Sequence, residues 1–216
     1  MKLFAPFFYL IDEWPHRTGK KRKAKERRAK ESKEERKKEE KREMTLEYLV
    51  RRAQDGDTDA FLELMTQNTQ ILYKTAWSVL RNDEDTADAV SETMLICFEK
   101  IHTLKRPAAF RTWMIRILLN QCYQILGDRA HFDGSGEMPE VADTRQGTGD
   151  MEGFHALMQG VDEKYSTILT LYYADEFTIS EIAGLIGLNE NTVKTRLSRG
   201  RELIRRNLSH EDRSNG

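Results

Sequence analysis

Six cations crowd one short stretch near the end of the chain: Lys194, Arg196, Arg199, Arg201, Arg205 and Arg206. Only Glu190 and Glu202 oppose them, so residues 189–206 carry a local net charge of +4. Lys and Arg side chains are pure donors that hold phosphate oxygens, whereas Asn and Thr both donate and accept and can read a base edge. The chemistry on offer is recognition of a polyanion. Apolar residues in the same stretch, Val193, Leu197, Ile204 and Leu208, are spaced by four, seven and four residues. That is the stripe of an amphipathic helix, and it leaves Lys194, Thr195, Arg196, Ser198, Arg199, Arg201, Arg205 and Arg206 outside.

The elements that must position this face can be read just upstream. Thr178 followed by Glu181 forms a capping box, Ile182, Leu185 and Ile186 give a first helix its apolar side, and Gly187 stops it. Asn189 is a good N-cap for the basic helix. Ala183 is small where two helices would cross closely, so Phe177 to Leu208 reads as a helix-turn-helix with its second helix offered to the major groove. An ordinary helical hairpin with a solvated charged face would share the charges. It would not require two caps, a glycine stop and a one-sided basic face to agree.

Other chemistry is poorly supported. The five histidines, His16, His102, His131, His155 and His210, form no HExxH or similar ligand set, and neither a P-loop nor a GxGxxG is present. Cys97 and Cys122 have no zinc spacing and read as buried reduced thiols of a cytoplasmic protein. The sequence therefore predicts no enzyme, no catalytic residue, no metal, no cofactor and no small-molecule substrate.

Charge is unevenly placed along the 216 residues. Overall it is −1, yet residues 17–43 hold 15 Lys/Arg against 7 Asp/Glu, which leaves residues 44–216 at −8. The basic arm cannot bury a core and is expected to be disordered or a solvated single helix. It is preceded by an apolar run, Leu3 to Ile11, too short to span a bilayer. Met44 stands where structured sequence begins, and residues 1–43 are read as a basic extension that an over-extended start would explain.

From Thr45 the pattern is helical. Leu46, Leu49 and Val50 lead to Gly56; Asp57 caps a second helix with a stripe of Phe61, Leu64, Met65, Ile71, Leu72, Ala76 and Leu80. Asp83 or Asp85 opens a third, with Ala89, Val90, Met94, Leu95, Phe98 and Ile101 expected inward. A fourth runs from about Ala109 to Leu126 with Trp113, Ile117 and Leu118 inward. Residues 127–150, rich in Gly and with six acidic against two basic residues, read as a flexible acidic linker. A weak helix over Met151 to Gly160 and a stronger one over Asp162 to Ala174, with Tyr165, Ile168, Leu169 and Tyr172 inward, complete a second domain. The expectation is all-α: a four-helix domain over 44–126, a linker over 127–150, a helix-turn-helix domain over 151–208 and a disordered tail over 209–216.

The segments GDTDAFLELM, NDEDTADAVSETM and FRTWMIRILLN, then a linker, then DEKYSTILTLYYADEFTISEIAGLIGLNENTVKTRLSRGRELI, resemble in order and spacing the extracytoplasmic-function group of bacterial sigma-70-type sigma factors. The resemblance covers nearly all of residues 44–208. It implies a specificity subunit that binds core RNA polymerase, recognises the −35 and −10 promoter elements and promotes DNA opening, often for stress-response genes and under an anti-sigma partner. It also implies roles by position. Asp85, Asp88, Val90, Glu92 and Thr93 match the segment that docks on the polymerase clamp coiled coil. Lys105, Arg106, Arg111, Arg116 and Asn120 occupy the place where the −10 element is read and opened. Asn191, Thr192, Thr195, Arg196 and Arg199 are implied as −35 base readers, with Lys194, Arg201, Arg205 and Arg206 on phosphates and the same domain touching the β-flap. After Asn120 the residues QCYQILGDRA are less basic than the family pattern, which weakens the expectation of duplex binding by that helix.

Overall fold

A computed structural model describes residues 45–132 and 149–214, with side chains over 45–127 and 151–206. Eight helices, and no strand among the described residues, follow one another. α1 spans residues 45–54, α2 Thr58–Leu80, α3 Asp83–Lys100 and α4 Phe110–Phe132; α5 spans Gly149–Met158, α6 Glu163–Tyr173, α7 Ile179–Ile186 and α8 Glu190–Ser214. Two single 3-10 turns, Ile101–Thr103 and Pro107–Ala109, build the connection between α3 and α4.

The caps explain where most helices begin. Ala60 N donates to Asp57 Oδ1 at 3.0 Å, and Asp57 is held in turn by Arg52. The backbone N–H of Asp85 donates to Asn82 Oδ1 at 2.9 Å, so α3 opens at Asp83, as expected, with Asn82 as its cap. Asn accepts there as well as Asp does, and the first turn already carries three carboxylates that suit the positive end of the helix. The Thr178–Glu181 box forms in both directions, and Gly187 closes α7 in the left-handed region at φ 67°.

Two helices run past their expected ends. α4 continues through Phe132, since the single Gly127 costs about 1 kcal/mol of helix propensity and does not stop a helix. α8 continues through Ser214 for a similar reason: no Pro or Gly follows Gly200 until Gly216. Residues 1–43, and most of the linker expected over 127–150, lie outside the described residues.

The core of α1–α4 is built from Leu49, Val50, Leu64, Leu72, Ala76, Phe110, Met114, Ile115, Leu118 and Leu119, all buried. Cys97 and Cys122 are buried there too, and burial pushes each thiol up to about 12. In α3 the inward face is Thr86, Ala89, Val90, Thr93 and Cys97. Leu95 and Phe98, expected inward, are 60% and 54% exposed. At 3.6 residues per turn, Leu95 falls opposite that buried stripe. Hydroxyls take the inward positions instead, Thr93 Oγ1 donating to Ala89 O at 2.6 Å.

The two halves, α1–α4 and α5–α8, share one continuous core. α6 lies between them, packed on α2 on one side and α8 on the other. Six consecutive residues of α6, Ser166 to Leu171, are buried as a result, which an amphipathic surface helix never shows.

Candidate nucleic-acid interface

The buried side of α8 is Val193, Leu197, Gly200 and Ile204, and at Gly200 it meets α6. A methyl group built on Gly200 would lie 2.9 Å from Leu169 Cδ1 and 3.1 Å from its Cγ, so any larger residue there makes Leu169 give way. Diametrically opposite, Asn191, Lys194, Thr195, Ser198, Arg199, Glu202, Arg205 and Arg206 are exposed. At 3.6 residues per turn they share an arc of roughly 140°.

The arc does not hold every expected residue. Arg196 and Arg201 sit at its two edges and are half-buried. Arg196 lies close enough to Tyr123 for its charge to oppose the rise that burial gives the Tyr123 phenol. Thr192 is spent on the cap: its N–H and its hydroxyl both reach Asn189 Oδ1, at 2.8 and 3.0 Å. Thr195 Oγ1 donates back to Asn191 O at 2.9 Å but keeps its acceptor side outward. Lys194 pairs with Glu190 at 3.7 Å and Arg206 with Glu202 at 2.6 Å, exposed pairs of small energy that a phosphate can displace.

A second basic region surrounds the connection between α3 and α4. Lys105 and Arg106 are exposed on it. Gln54, from α1, pins the loop: its Nε2 donates to Ile101 O at 3.0 Å and to Leu104 O at 2.7 Å. Arg116 and Asn120 project from one exposed face of α4. Arg111 does not join them. It lies on the other side of α4, donating through Nη2 to Asp175 O at 2.9 Å, with its guanidinium 5.7 Å from the centre of the Phe177 ring. The preceding turn starts the helix so that position 111 faces the second half of the chain.

Of the five residues expected on the polymerase-facing segment, Val90 and Thr93 are buried, 2% and 0% exposed, and hold the core of α3. Asp88 and Glu92 are exposed and Asp85 is half-buried. Leu95 and Phe98 join Asp88, Glu92 and Glu99 on the outer side. Phe98 rests edge-on against Phe61, ring centres 5.1 Å apart. A helical wheel drawn on the buried threonines finds this apolar pair; reading every apolar side chain as core hides it.

Two family models match in the order in which these surfaces occur: sigma-70 region 2 over residues 64–132 and sigma-70 region 4 over residues 151–204. Together they take in more than half of the chain. The chain belongs to the extracytoplasmic-function group of the sigma-70 family. Among its relatives is RNA polymerase sigma factor SigV of Bacillus subtilis, 28% identical over 69% of this chain and 92% of that one. ECF RNA polymerase sigma factor SigW of the same species is 26% identical over 77% of this chain and 98% of that protein. Two solved structures share the fold. CnrH in complex with the cytosolic domain of CnrY matches with a TM-score of 0.56 at 20% identity, covering 77% of this chain and 98% of that one. RpoE of Bartonella quintana with the anti-sigma factor NepR gives 0.54 at 20% identity, covering 68% and 97%. This sigma factor therefore carries its region 2 on α2–α4 and its region 4 on α5–α8.

Proposed function

We propose that this sigma factor directs core RNA polymerase to its promoters by laying the exposed arc of α8 in the major groove of the −35 element. The observation that carries the reading is the clean opposition on α8 of a buried apolar stripe and a cation-rich exposed arc. Asn191, Thr195 and Arg199 are the base readers, and Lys194, Arg205 and Arg206 hold phosphates. Arg196 and Arg201, at the margins, grip the backbone on either side of the groove.

The loop held by Gln54 and the outer face of α4 serve the −10 element. Lys105, Arg106 and Arg116 draw in the strand's phosphates and Asn120 offers a donor and an acceptor to an unstacked base. Opening costs a few kcal/mol per extruded base, which these contacts and those of the polymerase offset. The outer side of α3 docks on the clamp coiled coil: Leu95 and Phe98 form the dry centre, and Asp88, Glu92 and Glu99 the acidic rim facing a basic partner. Region 4 also meets the β-flap, and an anti-sigma protein restrains the whole. No helix among the described residues is long and apolar enough to cross a membrane, and the site of action is the cytoplasm. The chain supplies recognition and no bond-making chemistry of its own.

Reconstitution with core polymerase tests this. Run-off transcription from a genomic fragment library should give defined start sites only when the chain is added. Tight binding of promoter duplex by the chain alone, without co-elution with core polymerase, would make it a stand-alone regulator instead.

A further inference from the structure

Leu95 and Phe98 give α3 an apolar patch in solvent, and Leu62 of α2 is exposed as well. A large apolar patch bordered by charge marks a surface that another segment or molecule covers. Asp88, Glu92, Leu95 and Glu99 follow one another at steps of four, three and four residues, so they share an arc of about 60° on α3. None of these three carboxylates forms an ion pair with a described residue. Charge around the patch has one sign. Residues 45–100 hold 11 Asp/Glu against 5 Lys/Arg, a net of −6, so most of the −8 of residues 44–216 falls on α1–α3 and their turns.

The counterpart is in the same chain. Residues 17–30 carry nine Lys/Arg and one Glu, a net of +8, whereas residues 31–43 carry six of each and sum to zero. All of the arm's excess charge is therefore gathered just behind the apolar run Leu3 to Ile11, and a neutral stretch separates it from α1. An apolar head followed by a cationic stretch is the chemical complement of an apolar patch with an acidic border.

The tether reaches. Gln54, at the end of α1 away from the arm, donates to Ile101 O where α3 ends. Phe98 lies about one turn before Ile101, and Leu95 about two. With about 15 Å for the ten residues of α1, the arm is attached within roughly 35 Å of the patch. Residues 31–44, fully extended, span about 45 Å. A tether of this length gives an effective concentration on the order of millimolar, enough to populate a contact that would be weak between separate molecules. A lipid surface or a nucleic acid also suits a basic apolar segment, but only this patch is held beside it at all times.

We propose that residues 3–30 of this chain dock on the outer side of α3, the head over Leu95 and Phe98 and the cationic stretch along Asp88, Glu92 and Glu99, and that core polymerase must displace them to bind. The polymerase clause rests on the clamp reading given under the proposed function; the docking does not.

Zero-length carbodiimide coupling of the full chain is the test, because it joins a lysine amine to a carboxylate only where the two are in contact. Peptide mass spectrometry should find Lys20, Lys21, Lys23 or Lys25 joined to Asp88, Glu92 or Glu99. The yield should not change on dilution, and core polymerase should abolish it. The full-length variant with Lys20→Glu, Lys21→Glu, Arg22→Glu and Lys23→Glu should lose the couplings. It should also bind core polymerase about 10-fold tighter, the gain expected when a contact that covers about nine-tenths of the molecules is removed. Phe7→Ser with Phe8→Ser leaves the charge alone and should act in the same direction. The described core runs from Leu46 to Ile204, so neither variant touches it and their thermal melts should match the wild type. Absence of couplings to α3 overturns the proposal, and retention of the arm on vesicles of phosphatidylcholine and phosphatidylglycerol, or on random-sequence duplex, would then identify its binding partner. A native host that makes only a species beginning at Met44 overturns it as well. Couplings that both variants abolish, with no change in polymerase affinity, leave the docking standing and remove the clamp reading.

Discussion

Gln54 offers the sharpest check on how the loop proposed to serve the −10 element is held. Its side-chain amide makes two hydrogen bonds to loop carbonyls, at 3.0 and 2.7 Å, across 47 and 50 residues of sequence. Gln54→Leu keeps the bulk and removes both. Ile101 O retains a second donor, the Leu104 N–H at 3.1 Å, so only the Leu104 carbonyl loses this partner outright. Two neutral hydrogen bonds at about 1 kcal/mol each give about 2 kcal/mol of local stability. That corresponds to a roughly 30-fold rise in the loop's opening equilibrium. Hydrogen exchange reads it directly at the Leu104 and Ala109 amides, which donate to Ile101 O and Arg106 O. Both should exchange about 30-fold faster in the variant, while the amides of α2 keep their protection. In transcription, promoter melting should slow with polymerase affinity unchanged. Unaltered exchange at both amides would show that the turns Ile101–Thr103 and Pro107–Ala109 hold the loop without help, and the reasoning would fail.

Other perturbations follow from the same contacts. Arg199→Ala should weaken −35-dependent initiation by about 1–3 kcal/mol and relax preference at one base position, whereas Lys194→Ala should weaken all promoters alike and lower the salt dependence; run-off assays on promoter variants separate the two. Gly200→Ala gains about 1 kcal/mol of helix propensity but meets Leu169 and Tyr165, so its melting temperature should fall slightly, and Gly200→Leu should detach α8 from α6 and abolish −35 binding. Burial pushes the Asp175 carboxyl from 3.8 up to about 7, against the Thr75 hydroxyl, Arg111 and Lys74, and with Glu176 adding to the rise. A carboxyl raised on folding adds stability that is complete below its free value and lost as pH climbs through the folded one. The folded chain should therefore weaken between about pH 4 and 7, by up to about 4 kcal/mol, and Asp175→Asn should flatten that dependence in thermal melts.

What the sequence revealed and what it hid divide along physical lines. Caps, glycine stops and helix periods are local, and Asp57, Thr178, Gly187 and Asn189 act where their neighbours imply. The basic arc of α8 was legible because charge and periodicity coincide in one helix. Positions decided by distant packing were not. Arg111 looks like its basic neighbours until the second half arrives on its side of α4. Leu95 and Phe98 were assigned to the core by residue type, yet the buried face of α3 is held by Thr86 and Thr93. The seam between the halves escaped altogether, because Thr75, Ser78, Ser166 and Asp175 carry no pattern in one dimension and meet across about ninety to one hundred residues.

The missing side chain at Gly200 has a further consequence for fidelity. With Leu169 seated against bare backbone, the azimuth of α8 about its own axis is set from behind, by a contact that never meets DNA. A roll of about 20° would sweep a side-chain tip at a radius of about 5 Å through nearly 2 Å, more than a hydrogen bond tolerates. On the −35 reading proposed above, the base that Arg199 addresses would be fixed on the far side of the helix, and a regulon could drift through changes at that hidden contact without any change in the exposed arc.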